Sequence, residues 1–209
     1  MGVLNENTII GASAAGGYEI DNSLRFNDTS AAYLSRTQTV SGSRTTMTLS
    51  MWTKRGNLGL DTMWLFGTSN NWEGARFWSD DTLYINGPNG SQWVANPRFR
   101  DPSAWYHFIF VFDTTNATES DRLRFYVNGV RQTFSSEGAL ALNQTTTEWN
   151  VSGDANTIAN QGTNNRHFDG YLSEVNFIDG LALTPADFGE FGDYGEWKPL
   201  KYTGAYGTN

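Results

Sequence analysis

The chain of 209 residues contains no cysteine, so neither disulfide bonds nor thiolate-bound metal ions can stabilise its fold. Charged residues make up only 17% of it, and the formal net charge is −8. Because lysine and arginine form no cluster that could neutralise phosphates, we expect no nucleic-acid binding. No apolar run reaches the roughly 18–20 residues of a membrane-spanning helix, which predicts no membrane insertion. The first residues have no positively charged segment followed by an apolar one, so we also expect no signal peptide.

Aromatic residues, in contrast, are abundant: thirteen Phe, nine Tyr and eight Trp. They can build a substantial core, while Asn, Thr, Ser and Gly supply turns and exposed strand faces rather than disorder. The length suits a single β domain, since sandwiches and barrels often reach this size undivided.

The segment 103–133 predicts the centre of that domain. Phe108, Phe110 and Phe112 alternate with apolar residues on the opposite face, and a strand apolar on both faces must have protein on both sides. A second alternating run follows and ends at Asn128-Gly129, a pair typical of a tight hairpin turn.

Other short alternating segments recur with turn residues every eight to twelve positions, which is typical of an antiparallel two-sheet β-sandwich. We predict one short helix near 184–189, with Thr184 as N-cap and Pro185 as its first residue. Residues 23–190 form the predicted domain, and 191–209 a tail leading to further sequence. Residues 1–22 form an arm that is either loose or docks on a partner protein.

Three stretches resemble one family when taken together and in order. They are Ala104–Asp113, Leu123–Val130, and Phe168–Phe177 with Leu183-Thr184-Pro185. The family they resemble is the laminin-G-like and concanavalin A-like jelly roll, and the resemblance implies that the sandwich is a jelly roll.

A further resemblance concerns virion-associated proteins of marine tailed bacteriophages. It is carried by residues 17–28, 32–36 and 202–208. It implies a virion structural protein in a tail fibre or on the capsid surface, assembled in the host cytoplasm. Its partners would be other virion proteins and glycans of the host surface, and we expect a homo-oligomer. Two alternatives stay open: a capsid-decorating domain that binds only virion proteins, and a glycan-cleaving enzyme.

The sequence favours a protein that is not an enzyme. The nearest approach to a paired-carboxylate motif is Glu190, Asp193 and Glu196, whose spacing and lack of strand character do not suit glycoside hydrolysis. The two histidines, His107 and His167, are too few for a histidine-rich metal site, and His107 lies in a core strand.

Glycan binding is the ligand chemistry that the sequence favours, because sugar faces stack on exposed aromatic rings while hydroxyls bond to amides and carboxylates. The candidate residues are Asn71, Trp72, Glu73, Gln92 and Trp93. The alternative is that these tryptophans cap the core.

Calcium is the one cofactor that the sequence suggests. Asp113, Asn116, Glu119 and Asp121 place hard oxygen ligands within one loop. The alternative is a solvated acidic loop.

Overall fold

The computed structural model describes residues 17–60, 63–68, 72–162 and 166–207. Most of the predicted N-terminal arm, residues 1–16, lies outside this part of the chain. The strands are β1 (Leu24–Phe26), β2 (Leu34–Thr37), β3 (Thr46–Arg55), β4 (Met63–Thr68), β5 (Gly74–Phe77), β6 (Thr82–Asn86), β7 (Gln92–Arg98), β8 (Tyr106–Asp113), β9 (Leu123–Val127), β10 (Val130–Arg131), β11 (Phe134–Ser136), β12 (Ala155–Ile158), β13 (Gly170–Asp179), β14 (Gly189–Phe191) and β15 (Trp197–Pro199). Single 3₁₀ turns occur at Asp28–Ser30, Pro88–Gly90, Glu119–Asp121 and Pro185–Asp187.

The strands form two antiparallel sheets, which confirms the predicted sandwich. The six-stranded sheet has the order β1-β13-β3-β8-β9-β10, and the seven-stranded sheet has the order β11-β7-β6-β5-β4-β12-β2. Strands β14 and β15 form a separate hairpin. None of the helical segments in the described ranges is long and apolar enough to cross a membrane.

The main core lies between the two sheets. Phe108, Phe110 and Phe112 of β8 point into it, as their alternation predicts, and Phe77 and Leu83 meet them from the seven-stranded sheet. The turn after β9 also follows the prediction, with Asn128 and Gly129 both at positive φ.

A second, smaller core covers the outer face of the six-stranded sheet. Ile109 and Val111 of β8 pack there against Phe188 and Tyr202. The C-terminal segment therefore supplies the protein that the doubly apolar β8 requires on its outer side. Residues beyond the predicted domain boundary at 190 contribute to the fold.

The predicted helix near 184–189 is one 3₁₀ turn, Pro185–Asp187. The Asp187 carboxylate accepts hydrogen bonds from the Thr184 amide at 2.8 Å and from its hydroxyl at 2.9 Å. The turn is short because β14 begins at Gly189.

Candidate functional site

The residues predicted to bind glycans do not form one site. Asn71 lies outside the described residues. Trp72 is 41% exposed, whereas Trp93 is only 5% exposed and belongs to the main core. Gln92 is half-buried at the start of β7. Of the two tryptophans, only Trp72 presents its ring to solvent.

Glu73 lies next to Trp72 but points inward and holds a loop. Its Oε1 accepts hydrogen bonds from the amide and hydroxyl of Thr147, each at 2.7 Å. Its Oε2 accepts from the amides of Glu148 at 3.2 Å and Trp149 at 2.8 Å. Both carboxylate oxygens are therefore committed to residues 147–149, and only 3% of Glu73 is exposed.

An aromatic cluster surrounds Arg76 on the outer side of the seven-stranded sheet. Trp64, Arg76 and Tyr84 are paired across β4, β5 and β6, at positions whose strand neighbours face the core. The Arg76 guanidinium carbon lies 5.0–5.6 Å from the centroids of four rings, those of Trp64, Trp72, Trp78 and Tyr84. Contacts at this range are cation–π interactions. We call Arg76 and these four aromatic residues the Arg76 face.

The tryptophan at the rim of this face has an unusual backbone. Trp72 has a φ of 66°, a left-handed conformation that a bulky side chain seldom adopts. Such conformations cost about 1–3 kcal/mol and cluster at functional sites. The guanidinium of Arg166 lies 5.8 Å from the Trp72 ring centroid, so two arginines flank the exposed ring. Stacking on this ring suits the apolar face of a sugar.

A separate cleft of about 580 Å³ lies at the sandwich edge, where β10 and β11 end the two sheets. It brings together residues of both predicted sites, because Trp93 lies in its wall with Glu119 and Asp121. Its volume is within the range of small-molecule sites. The Asp121 carboxylate forms an ion pair with the Arg131 guanidinium at 2.6 Å.

The other two predicted calcium ligands lie elsewhere in the same loop and take part in local contacts. The Asp113 carboxylate accepts a hydrogen bond from the Thr115 hydroxyl at 2.6 Å, and the Asn116 side chain accepts one from the Thr118 amide at 2.9 Å. Across the described ranges, no group of three or more His, Asp or Glu side chains is placed to share a metal ion. The calcium prediction thus gains no support from this geometry.

His107 is a structural residue that joins the C-terminal hairpin to β8. Its ring stacks on Trp52 with centroids 4.8 Å apart, and its Nδ1 accepts a hydrogen bond from Trp197 Nε1 at 2.9 Å. Its Nε2 lies 2.8 Å from the Ser50 hydroxyl. Since Nδ1 is an acceptor, the ring proton belongs on Nε2. Burial lowers the pKa of His107 from its ordinary value to about 3.

The three carboxylates considered for catalysis, Glu190, Asp193 and Glu196, are exposed on the hairpin of β14 and β15. Glu196 forms an ion pair with Lys198 at 2.9 Å, which lowers the pKa of the carboxyl. The three lie outside both the Arg76 face and the edge cleft.

Arg76, Trp78 and Tyr84 are not among the site residues predicted from the sequence. The segment 75–85 contains a usable signal, since Arg76 and Tyr84 each alternate with core-type residues. That alternation places them together only once β5 and β6 are paired in register.

Residues 26–187 match the family model described as the concanavalin A-like lectin/glucanases superfamily. None of the curated proteins compared with the chain matches it.

Among solved structures, a heptameric SAP-like pentraxin from Limulus polyphemus is similar, with a TM-score of 0.51 and 18% sequence identity over 73% of this chain and 71% of the pentraxin chain. A Trypanosoma rangeli sialidase has a TM-score of 0.49 and 10% identity over 68% of this chain and 22% of its own. Mouse laminin alpha1 domains LG4-5 have a TM-score of 0.44 and 12% identity over 81% of this chain and 42% of theirs. The chain thus spans under a quarter of the sialidase. The likeness to the pentraxin shows the fold alone.

Proposed function

The chain belongs to the concanavalin A-like lectin/glucanases superfamily, and we propose that it is a non-enzymatic structural protein of a phage virion whose jelly roll binds host-surface glycans. The virion part of this proposal is supported by the resemblance of residues 17–28, 32–36 and 202–208 to virion-associated proteins of marine tailed phages. The glycan part is supported by the surface chemistry of the domain.

One observation carries the glycan part: the exposed ring of Trp72 on the Arg76 face. A sugar ring stacks on an indole through its C–H face, and polar groups at the rim then bond its hydroxyls. Trp78 and Tyr84 are half-buried beside it and extend the aromatic surface.

A glycan array probed with the purified chain tests this function, in the presence and absence of Ca²⁺. We expect binding to host polysaccharides that Trp72→Ala abolishes. Trp105→Ala is the matched control, since Trp105 is a surface tryptophan elsewhere that contacts Tyr171. A chain that binds no arrayed glycan under either condition would contradict the glycan function.

The position of the protein on the virion requires a separate experiment. Imaging of labelled virions should place the protein on the tail fibre or the capsid surface. Deleting residues 1–22 should prevent incorporation if they form a docking arm. Normal incorporation of the shortened chain would contradict a docking role.

A purely architectural role is favoured by a different surface. Phe191 and Tyr194 of the C-terminal hairpin are 55% and 96% exposed, and the Phe191 ring lies 4.9 Å from that of Trp197. In this case the partners are other virion proteins, and Phe191→Ser with Tyr194→Ser should reduce incorporation into particles. If particles form normally with both substitutions, this surface is not the virion contact.

A further inference from the structure

The edge cleft has the size and the mixed lining of a site for a small polar ligand. Its volume of about 580 Å³ lies within the roughly 300–1,000 Å³ typical of ligand pockets. The apolar side chains that line it are Trp93, Leu123, Phe134 and Leu140. Polar side chains of residues 119–121 and 131–133, and that of Glu137, supply most of the remaining lining. Such a cleft suits a molecule that has both an apolar face and polar groups.

The indole N–H of Trp93 is an unused hydrogen-bond donor at this cleft. Only 5% of Trp93 is exposed, yet its Nε1 has no hydrogen-bond partner among the residues that the structure describes. Two glycines define how the ring is turned, because an added Cβ would lie 3.1 Å from Cζ2 at Gly138 and 3.0 Å from Cζ3 at Gly87. Since Nε1 is on the Cζ2 side of an indole, it is directed toward Gly138, which lines the cleft. A buried tryptophan N–H normally has a partner, so this one suits an acceptor on a ligand.

Two carboxylates of the cleft also lack partners within the protein. Glu119 lies in the 3₁₀ turn before β9 of the six-stranded sheet, and Glu137 directly follows β11 of the seven-stranded sheet. Both side chains are exposed. Across the described ranges, neither carboxylate has a hydrogen bond or an ion pair. Each sheet therefore contributes one free carboxylate to the lining.

The cations close to these carboxylates are bonded to other groups. The Arg131 guanidinium in the lining pairs with the Asp121 carboxylate at 2.6 Å. Arg122 does not line the cleft, and its guanidinium donates to three backbone carbonyls. Because neither arginine bonds to Glu119 or Glu137, the lining favours a ligand that brings its own positive charge.

From these observations we propose that the edge cleft is a second ligand site, which binds an amino sugar. The ammonium group of the sugar pairs with the carboxylates of Glu119 and Glu137, and a hydroxyl oxygen accepts the Trp93 N–H. The C–H face of the ring packs on the apolar lining. The ligand is a free amino sugar or the terminal residue of a glycan. This inference does not depend on the glycan function proposed for the Arg76 face.

Titration in solution with a matched pair of ligands tests this site. The 209-residue chain is titrated at about pH 6, where the amine is charged, with the glucosamine dimer and with its N-acetylated form. Two-dimensional NMR follows the Trp93 indole N–H, which is assigned by its loss in Trp93→Phe. We expect this resonance to shift and the amine form to bind at least about tenfold more tightly, which corresponds to one charge-assisted contact. Tighter binding of the dimer than of glucosamine itself indicates a glycan end, and equal binding indicates a free sugar.

Four variants assign the binding to residues. Glu119→Gln and Glu137→Gln should each weaken binding of the glucosamine dimer by about tenfold and leave that of the N-acetylated dimer unchanged. Glu190→Gln is the matched control, since Glu190 is an exposed carboxylate of the C-terminal hairpin. Trp72→Ala should also leave glucosamine binding unchanged, because it alters only the Arg76 face. Urea midpoints equal to that of the unmodified chain show that the carboxylate variants are folded.

The outcomes distinguish this site from the function proposed above. Equal affinities for the two dimers, or full affinity in both Glu119→Gln and Glu137→Gln, overturn the amino-sugar site. A shift of the Trp93 resonance that CaCl₂ causes and neither sugar does would assign the carboxylates to a metal ion and overturn it as well. Glucosamine binding by a chain that fails to bind any arrayed glycan overturns only the function of the Arg76 face.

Discussion

At the residue scale, Glu73 shows how a polar side chain beside a candidate site can serve the fold. Its two oxygens accept four hydrogen bonds from residues 147–149. The Glu73 carboxylate connects the residue before β5 to a loop 75 residues away along the chain. Substitutions at this position should therefore alter stability before they alter any ligand contact.

We predict that Glu73→Gln lowers the free energy of unfolding by about 2–4 kcal/mol, because the amide NH₂ then faces backbone N–H groups that lose their acceptor. Urea denaturation measures this effect. Glu137→Gln is the matched control, since Glu137 is exposed at the edge cleft and should change the stability by less than about 0.5 kcal/mol. Equal midpoints for the two variants would contradict the role assigned to Glu73.

His107 makes stability depend on pH in a definite direction. Burial lowers the pKa of His107 to about 3 in the folded chain, whereas the unfolded chain takes up the proton near its ordinary pKa of 6.5. The unfolded state therefore binds more protons between these values. The contribution is fully present above pH 6.5 and is lost as the pH falls toward 3.

We expect proton uptake by His107 in the unfolded chain to lower the free energy of unfolding by about 4 kcal/mol between pH 7 and pH 3. Urea midpoints measured from pH 7 to pH 3 should fall less steeply in His107→Gln than in the unmodified chain. A direct check is the NMR titration of the imidazole, which should show no protonation of His107 between pH 5 and 8. A midpoint near 6.5 would refute the assignment.

At the element scale, the hairpin of β14 and β15 depends on one tryptophan. Trp197 donates its indole N–H to His107 Nδ1, and its ring also covers Gly129, where an added Cβ would approach it to 2.3 Å. Trp197 thus attaches the hairpin to two parts of the six-stranded sheet, namely β8 at His107 and the turn at Gly129. Both are far from the hairpin in sequence.

We predict that Trp197→Phe destabilises the chain by about 1–3 kcal/mol, because phenylalanine leaves the buried His107 Nδ1 without its donor. Limited proteolysis should then cut within residues 189–207 earlier than elsewhere. Tyr194→Ala serves as control, since this ring is almost fully exposed in the same hairpin. Identical cleavage patterns would mean that the bond to His107 does not hold the hairpin.

The elements also show what sequence can predict. The alternation of Phe108, Phe110 and Phe112 predicts β8, because side chains of a strand alternate between its faces and these three therefore share the buried one. Trp72 and Trp93 have similar neighbours in sequence, yet one is exposed and the other lies in the core. The difference depends on strand pairing: β7 is in register with β6, which directs Trp93 inward.

At the scale of the whole molecule, composition and turn spacing predict the sandwich. They do not predict that the C-terminal segment covers the outer face of the six-stranded sheet. The segment after 190 has short strands and many glycines, so its pattern resembles a tail. Only the apolar outer side of β8, with Ile109 and Val111, indicates that another segment must cover this face. The Arg76 face is unpredictable for a related reason, since its members come from β4, β5, β6 and two loops.

A chain that ends at residue 190 should therefore be less stable than one that ends at 207. Loss of Trp197 and Tyr202 uncovers Ile109, Val111 and His107, and the buried apolar area lost corresponds to at least about 4 kcal/mol. Thermal unfolding and binding of a hydrophobic dye compare the two lengths. Equal melting temperatures would instead support a domain boundary at 190.

The strand order also determines when each sheet can be completed during synthesis of the chain. Strand β13 lies between β1 and β3, and β12 lies between β4 and β2, so each sheet has a gap until a late segment fills it. Arg25 and Asp169, which are bonded beside β1 and β13, are 144 residues apart. At ribosomal speeds of 5–20 residues per second, β1 waits roughly 7–30 s for its neighbour. During that interval both unfinished sheets expose unpaired edges, which makes the nascent chain a natural client for chaperones.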